Sequence, residues 1–150
     1  MQRSIINQKP VEKIFYILIF AVYESLSSIY LFLPPLFAVL FILFAQALED
    51  DDTLSLIFIS LCLLVFEADK GYLIFSSIIY FTLGYKFIMP RLIQNFNCTS
   101  CIKSAYVVIA YVGFFFFSVL LSKMFLIPMP DINYYIVYYI VIEFFLVSLL

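Results

Sequence analysis

Glu24 and Glu143 sit in the middle of long apolar stretches, Glu67, Asp69 and Lys70 close another, and Cys98 and Cys101 form a single C-x-x-C. A charged group at the centre of a bilayer costs at least about 2.5 kcal/mol unless it is paired, neutralised or hydrated. Glu24 and Glu143 are therefore expected to face the interior of a helix bundle. Two readings follow for them. One is a proton or substrate pathway, or a polar contact with a partner's helix; the other is a protonated carboxyl bonded to a nearby serine or tyrosine, with Ser25, Ser27 and Ser28 close at hand for Glu24. Glu67 and Lys70 stand three positions apart, a spacing that lets them pair on a helix. They form either a solvated turn with Asp69 and Gly71 or a polar site shared with Glu24, Glu143 or Lys123.

Other chemistry is excluded by what the chain lacks. It has no histidine, so the commonest general base and metal ligand is missing. One C-x-x-C supplies half of a tetrahedral zinc site, and a second chain would have to supply the other half. Cys98 and Cys101 fall in the polar connection 91–103, and Cys62 reads as a small buried hydrophobe. Asn97-Cys98-Thr99 matches a glycosylation acceptor but works as one only in a secretory lumen. Three glycines leave no room for a phosphate-binding loop, and the apolar stretches carry no paired-aspartate, Ser/His or metal-ligand motif. No enzyme activity, cofactor or metal is expected. Eight basic residues, none clustered into a broad face, give no footprint for nucleic acid.

The elements that must position these residues follow from composition. Of 150 residues, 66% are hydrophobic and 12% charged, with mean hydropathy +1.14; a soluble domain carries roughly a quarter charged residues. The expected fold class is an all-α integral membrane protein, a single polytopic domain over 1–150. A spanning helix needs about 20 apolar residues. The apolar run from Ile14 to Leu48 would make one helix of about 52 Å, too long for a single crossing, so Pro34-Pro35 must divide it. Six spans are expected, at about 14–31, 34–48, 54–68, 72–89, 104–127 and 132–150, joined by short loops. Glu49-Asp50-Asp51-Asp52 marks a water-exposed loop, and Pro90-Arg91 closes the fourth span. The basic segment 1–13 runs straight into a long apolar stretch with no small-residue cleavage site, and so reads as a cytoplasmic flank, not a signal peptide.

Six spans with both termini in the cytoplasm place Arg3, Lys9, Lys13, Lys86, Arg91 and Lys103 inside and only Lys70 and Lys123 outside. That is the bias cytoplasmic loops show. An undivided first stretch would move Lys86, Arg91 and Lys103 outside and weaken that bias to five against three. Tyr106, Tyr111, Tyr134, Tyr135, Tyr138 and Tyr139 are expected mostly at the membrane interfaces, and Phe114 to Phe117 in lipid or in core packing.

Leu33-Pro34-Pro35-Leu36-Phe37-Ala38-Val39-Leu40, a short polar loop, an apolar helix ending at Asp69, then Gly71 and a helix closing on Gly84-Tyr85 together resemble the MreD family of bacterial rod-shape proteins. The match covers mainly residues 30–92. Ser60 and Cys62 stand where that family has glycines early in its third helix. The resemblance implies a non-catalytic, multi-pass component of the bacterial inner membrane that serves cell elongation and peptidoglycan synthesis. It would dock an MreC-like scaffold protein and cell-wall synthesis enzymes, with an MreB-like filament linked indirectly. Asp69 is the residue it carries over. The alternative is the substrate-binding membrane subunit of a vitamin-type uptake transporter, with Glu24, Asp69 and tyrosines building a polar pocket. A proton or ion pathway through Glu24 and Glu143 is the third possibility.

Overall fold

Pro34 and Pro35 lack backbone N–H groups, so a helix entering them cannot continue. The chain leaves α1, Pro10–Ile29, runs irregularly through 30–36, and resumes as α2, Phe37–Glu49. The computed structural model describes residues 10–129 and 133–149, and every regular element within them is helical. Arg3 and Lys9 of the basic segment, together with Pro130, Asp131, Ile132 and Leu150, lie outside the described residues.

α2 begins three residues later than expected and is the central helix, packed against the helices Thr53–Lys70, Thr99–Val108 and Tyr135–Leu149. Its buried face, Phe37, Ala38, Leu40, Phe41, Phe44, Ala45 and Ala47, covers more than half its length. Phe37 lies 4.8–6.0 Å, ring to ring, from Phe66, Phe81, Tyr111 and Phe114. This aromatic cluster joins α2 to the helix that follows it, to the segment around Phe81 and to the stretch 111–114, in tilted geometries that aromatic pairs favour.

Asp50 closes α2 and Asp52 opens α3, Thr53–Lys70, by accepting hydrogen bonds from the Ser55 amide and hydroxyl at 3.4 and 2.5 Å. α3 stops at Gly71, whose left-handed φ of 71° glycine adopts without steric cost. The fourth apolar segment departs from expectation at both ends. Its helix α4, Ser76–Leu83, starts four residues late, and Pro90 does not close it. A π turn, Gly84–Ile88, precedes Pro90 and passes directly into α5, Met89–Asn95. The widened turn shifts the hydrogen-bond register, so a residue without an N–H is accommodated at the start of α5.

The following helix begins at Thr99 rather than Ser104. It runs as α6, Thr99–Val108, a second π turn, Ile109–Gly113, and α7, Phe114–Phe125. Cys101 therefore lies in a helical turn, not in a loop. The Tyr80 hydroxyl donates to the Ile109 carbonyl within the second π turn at 2.6 Å. Gly113 lies directly beneath that phenol, and a methyl group there would overlap the hydroxyl and stand 3.0 Å from Cζ. Gly113→Ala is therefore expected to lower stability by about 1–3 kcal/mol through overpacking. Adding Tyr80→Phe, which removes the clashing oxygen, should restore part of the loss. Thermal unfolding of the single and double variants in detergent checks this; purely additive losses would contradict it.

α8, Tyr135–Leu149, completes the chain. The continuous helix Thr99–Phe125, 27 residues with mean hydropathy 2.2, is the one described helix long and apolar enough to cross a bilayer by length and composition alone. Ile14–Ile29, Phe37–Glu49 and Tyr135–Leu149 are shorter apolar helices.

Candidate functional site

The break at 30–36 leaves backbone carbonyls and amides that no helix can satisfy, and each unpaired buried group is expensive. Three side chains take the carbonyls. Tyr139 donates to Leu31 at 2.6 Å, Ser27 to Leu33 at 3.0 Å and Tyr23 to Pro34 at 2.7 Å. The amides at the start of α2 are taken by Glu143, whose carboxylate accepts from Phe37 N at 3.0 Å and Ala38 N at 2.7 Å. The Tyr111 hydroxyl donates to the same carboxylate. A negative group at a helix N-terminus also meets the positive end of the helix dipole.

Glu67 repeats the arrangement at the next turn. Its carboxylate accepts from Phe75 N at 2.7 Å, Ser77 N at 2.5 Å and the Ser76 hydroxyl at 3.1 Å, at the start of α4. In both cases the residue before the helix, Leu36 or Phe75, has a positive φ, 52° and 69°. That left-handed residue turns the first amides of the helix toward the carboxylate. In place of the pairing with Lys70 that the spacing allows, both Glu67 oxygens accept from the head of α4.

Glu24 is the exception. It is as fully buried as Glu67 and Glu143, yet neither of its oxygens has a hydrogen-bond partner; among the described residues the Ser77 hydroxyl is the other buried side-chain group in that position. The serines beside it do not serve it. Ser25 donates to the Ala21 carbonyl on its own helix and Ser27 to Leu33 in the break. Lys70, Asp69 and Glu143 are near enough to influence Glu24 electrostatically. Full burial also removes Glu24 from the reach of another protein's helix. Because its carboxyl satisfies no donor, Glu24→Leu should raise stability by about 1–3 kcal/mol, by removing a desolvation penalty without orphaning anything. A loss as large as that of a Glu67 or Glu143 variant would show that Glu24 holds a partner after all.

The five sequence-singled residues therefore separate. Glu24, Glu67 and Glu143 are interior, Lys70 is half-buried, and Asp69 is exposed at the end of α3. Beside Lys70 is a cavity of about 220 Å³, bordered by Gly71, Ser76, Ser118, Ser122 and Pro128, where the 71–75 turn meets the end of α7. Among the described residues, no three Cys, Asp or Glu side chains converge as a metal centre requires. Tyr111 and Tyr139 are buried within the polar network, whereas Tyr134 is almost wholly exposed. The roles of Tyr111, Tyr23 and Ser27 were missed from sequence. Tyr111 stands 32 positions from Glu143, and no spacing rule links residues so far apart.

Comparison with protein-family models, with curated proteins and with solved structures finds no match for this chain.

Proposed function

We propose that the protein is a six-span, multi-pass membrane scaffold without catalytic activity, of the type the MreD resemblance implies, seated in a bacterial inner membrane. Its partition of residues supports the membrane reading. Three glutamates have no exposed surface, while Phe15, Phe32, Phe87, Phe116, Phe125 and Leu126 point outward. A soluble protein arranges these classes the other way round. Within the irregular segment, Pro34 and Pro35 are buried, and side chains take the carbonyls of Leu31, Leu33 and Pro34, the condition under which non-helical chain is tolerated at membrane depth.

The observation that carries the scaffold reading is the division of labour among the acids. Glu67 and Glu143 satisfy helix starts within the fold, and Glu24 is enclosed. Asp69 alone of the four acids is exposed, with Lys70 half-buried beside it. A partner such as an MreC-like scaffold protein would meet this pair on the outer face, next to the 71–75 turn. The test is affinity purification in mild detergent from cells carrying wild type or Asp69→Lys. Recovery of scaffold and cell-wall synthesis proteins with wild type, reduced at least about tenfold by the charge reversal, corresponding to 1.4 kcal/mol of binding, is expected. Recovery of none of them, or equal recovery with both chains, would overturn the reading.

A second reading is favoured by the cavity beside Lys70. The half-buried Lys70 at its edge suits a small polar anion, as in the binding subunit of an uptake transporter, while Ser76, Ser118 and Ser122 already donate to Glu67, Phe114 and Ile127. That reading predicts co-purification of an ATPase-coupled energising module instead of cell-wall proteins.

A further inference from the structure

Cys98 and Cys101 lie on the surface at the end of the molecule opposite the cavity and contribute nothing to the network of glutamates. Both thiols are free and fully exposed. Cys98 occupies the N-cap of the 27-residue helix, with extended backbone angles of −99° and 121°. Its carbonyl accepts the Ile102 amide at 3.1 Å, so the helix starts at this residue. Cys101 is in the first turn, three positions further on. Positions three apart at a helix start bring Cα atoms within the roughly 4.4–6.8 Å that a disulfide spans. The pair can therefore close without unfolding the helix.

The two sulfurs are not equivalent. The neighbouring Cys101 thiol holds Cys98 below the ordinary thiol range, and Cys98 in turn raises Cys101. An exposed thiol next to helix amides and a second thiol is the environment of a reactive cysteine with a resolving partner.

We propose that Cys98 and Cys101 form a thiol–disulfide exchange site, with Cys98 attacking an external disulfide and Cys101 resolving the product. The Cys98 thiolate attacks one sulfur of a disulfide RSSR, forming a Cys98–SR bond and releasing RS⁻, which takes up the proton Cys98 has lost. Cys101 then gives its proton to solvent and attacks the Cys98 sulfur. The S–R bond breaks, a second RS⁻ leaves and is protonated, and a Cys98–Cys101 disulfide remains. The dithiol is oxidised and one disulfide is reduced to two thiols. The reaction runs backward when thiol is in excess, so the site reports the redox state of the compartment it faces.

The experiment uses the whole chain in detergent with oxidised glutathione as the probe. Cys98 should alkylate with iodoacetamide about tenfold faster than Cys101 at neutral pH, with its advantage growing as pH falls, because its thiolate persists further down in pH. Wild type should lose two thiols on exposure to glutathione disulfide and recover them with excess glutathione. The Cys101→Ser variant should instead accumulate one glutathione adduct at Cys98, and Cys98→Ser should acquire an adduct at Cys101 about tenfold more slowly. Equal alkylation rates at the two sites, or a Cys101→Ser chain that acquires no adduct, would overturn the proposal. Circular dichroism of both variants checks that the helix start is intact.

Discussion

Replacing Glu143 with alanine is expected to destabilise the protein by about 3–5 kcal/mol, because two backbone amides and one phenol lose their acceptor in a buried place. The donors are Phe37 N, Ala38 N and the Tyr111 hydroxyl, and water cannot reach them in the folded chain. Phe37 is also the hub of the aromatic cluster, so freeing the first turn of α2 loosens contacts with Phe66, Phe81 and Phe114 together. Tyr111→Phe removes a single donor and should cost only about 1 kcal/mol. Thermal or denaturant unfolding in detergent measures both. If Glu143→Ala unfolds no more readily than Tyr111→Phe, the amides of α2 have another acceptor and the capping account is wrong.

The second large effect falls on Glu67. Its removal orphans Phe75 N, Ser77 N and the Ser76 hydroxyl, and Glu67→Ala should cost about 3 kcal/mol. The response to glutamine distinguishes capping from simple packing. Glu67→Gln keeps the volume and one acceptor oxygen but turns an amide N–H toward a donor, so it should recover less than half the loss. Ser76→Ala, which leaves both amide bonds in place, should cost about 1 kcal/mol. Full stability in Glu67→Gln would mean that shape, not hydrogen-bond acceptance, decides the site. Hydrogen exchange should show the first amides of α4 opening in the alanine variant while those of α6 stay protected.

Much of this arrangement is legible in the residues. Two adjacent prolines impose a break in the first apolar stretch, and the cost of a mid-span carboxylate points Glu24 and Glu143 inward. What spacing cannot supply is the identity of the partners. Glu143 meets amides more than a hundred positions away, and the free amides it meets exist only because the prolines end one helix and another has to start. The serines around Glu24 mislead for a local reason. Ser25 bonds back to a carbonyl of its own helix, as serine commonly does within a helix, and Ser27 is drawn to the Leu33 carbonyl in the break. The helix boundaries at 72–76 and 90 escape for a similar reason. Apolar composition does not distinguish an extended turn held by Glu67 from the first turn of a helix, and a proline after a π turn leaves no mark in the pattern of hydrophobic residues.

The most direct test of the account places single cysteines in a chain whose Cys62, Cys98 and Cys101 have been replaced, and labels intact cells with a membrane-impermeant maleimide. Leu73→Cys and Met129→Cys, exposed at the end that holds the cavity, should label at once, and Asp51→Cys, exposed in the turn between α2 and α3, only after permeabilisation. Labelling of Asp51→Cys together with Leu73→Cys in intact cells, or recovery of the chain in the soluble fraction, would contradict a bundle that threads the bilayer with its glutamates held inside.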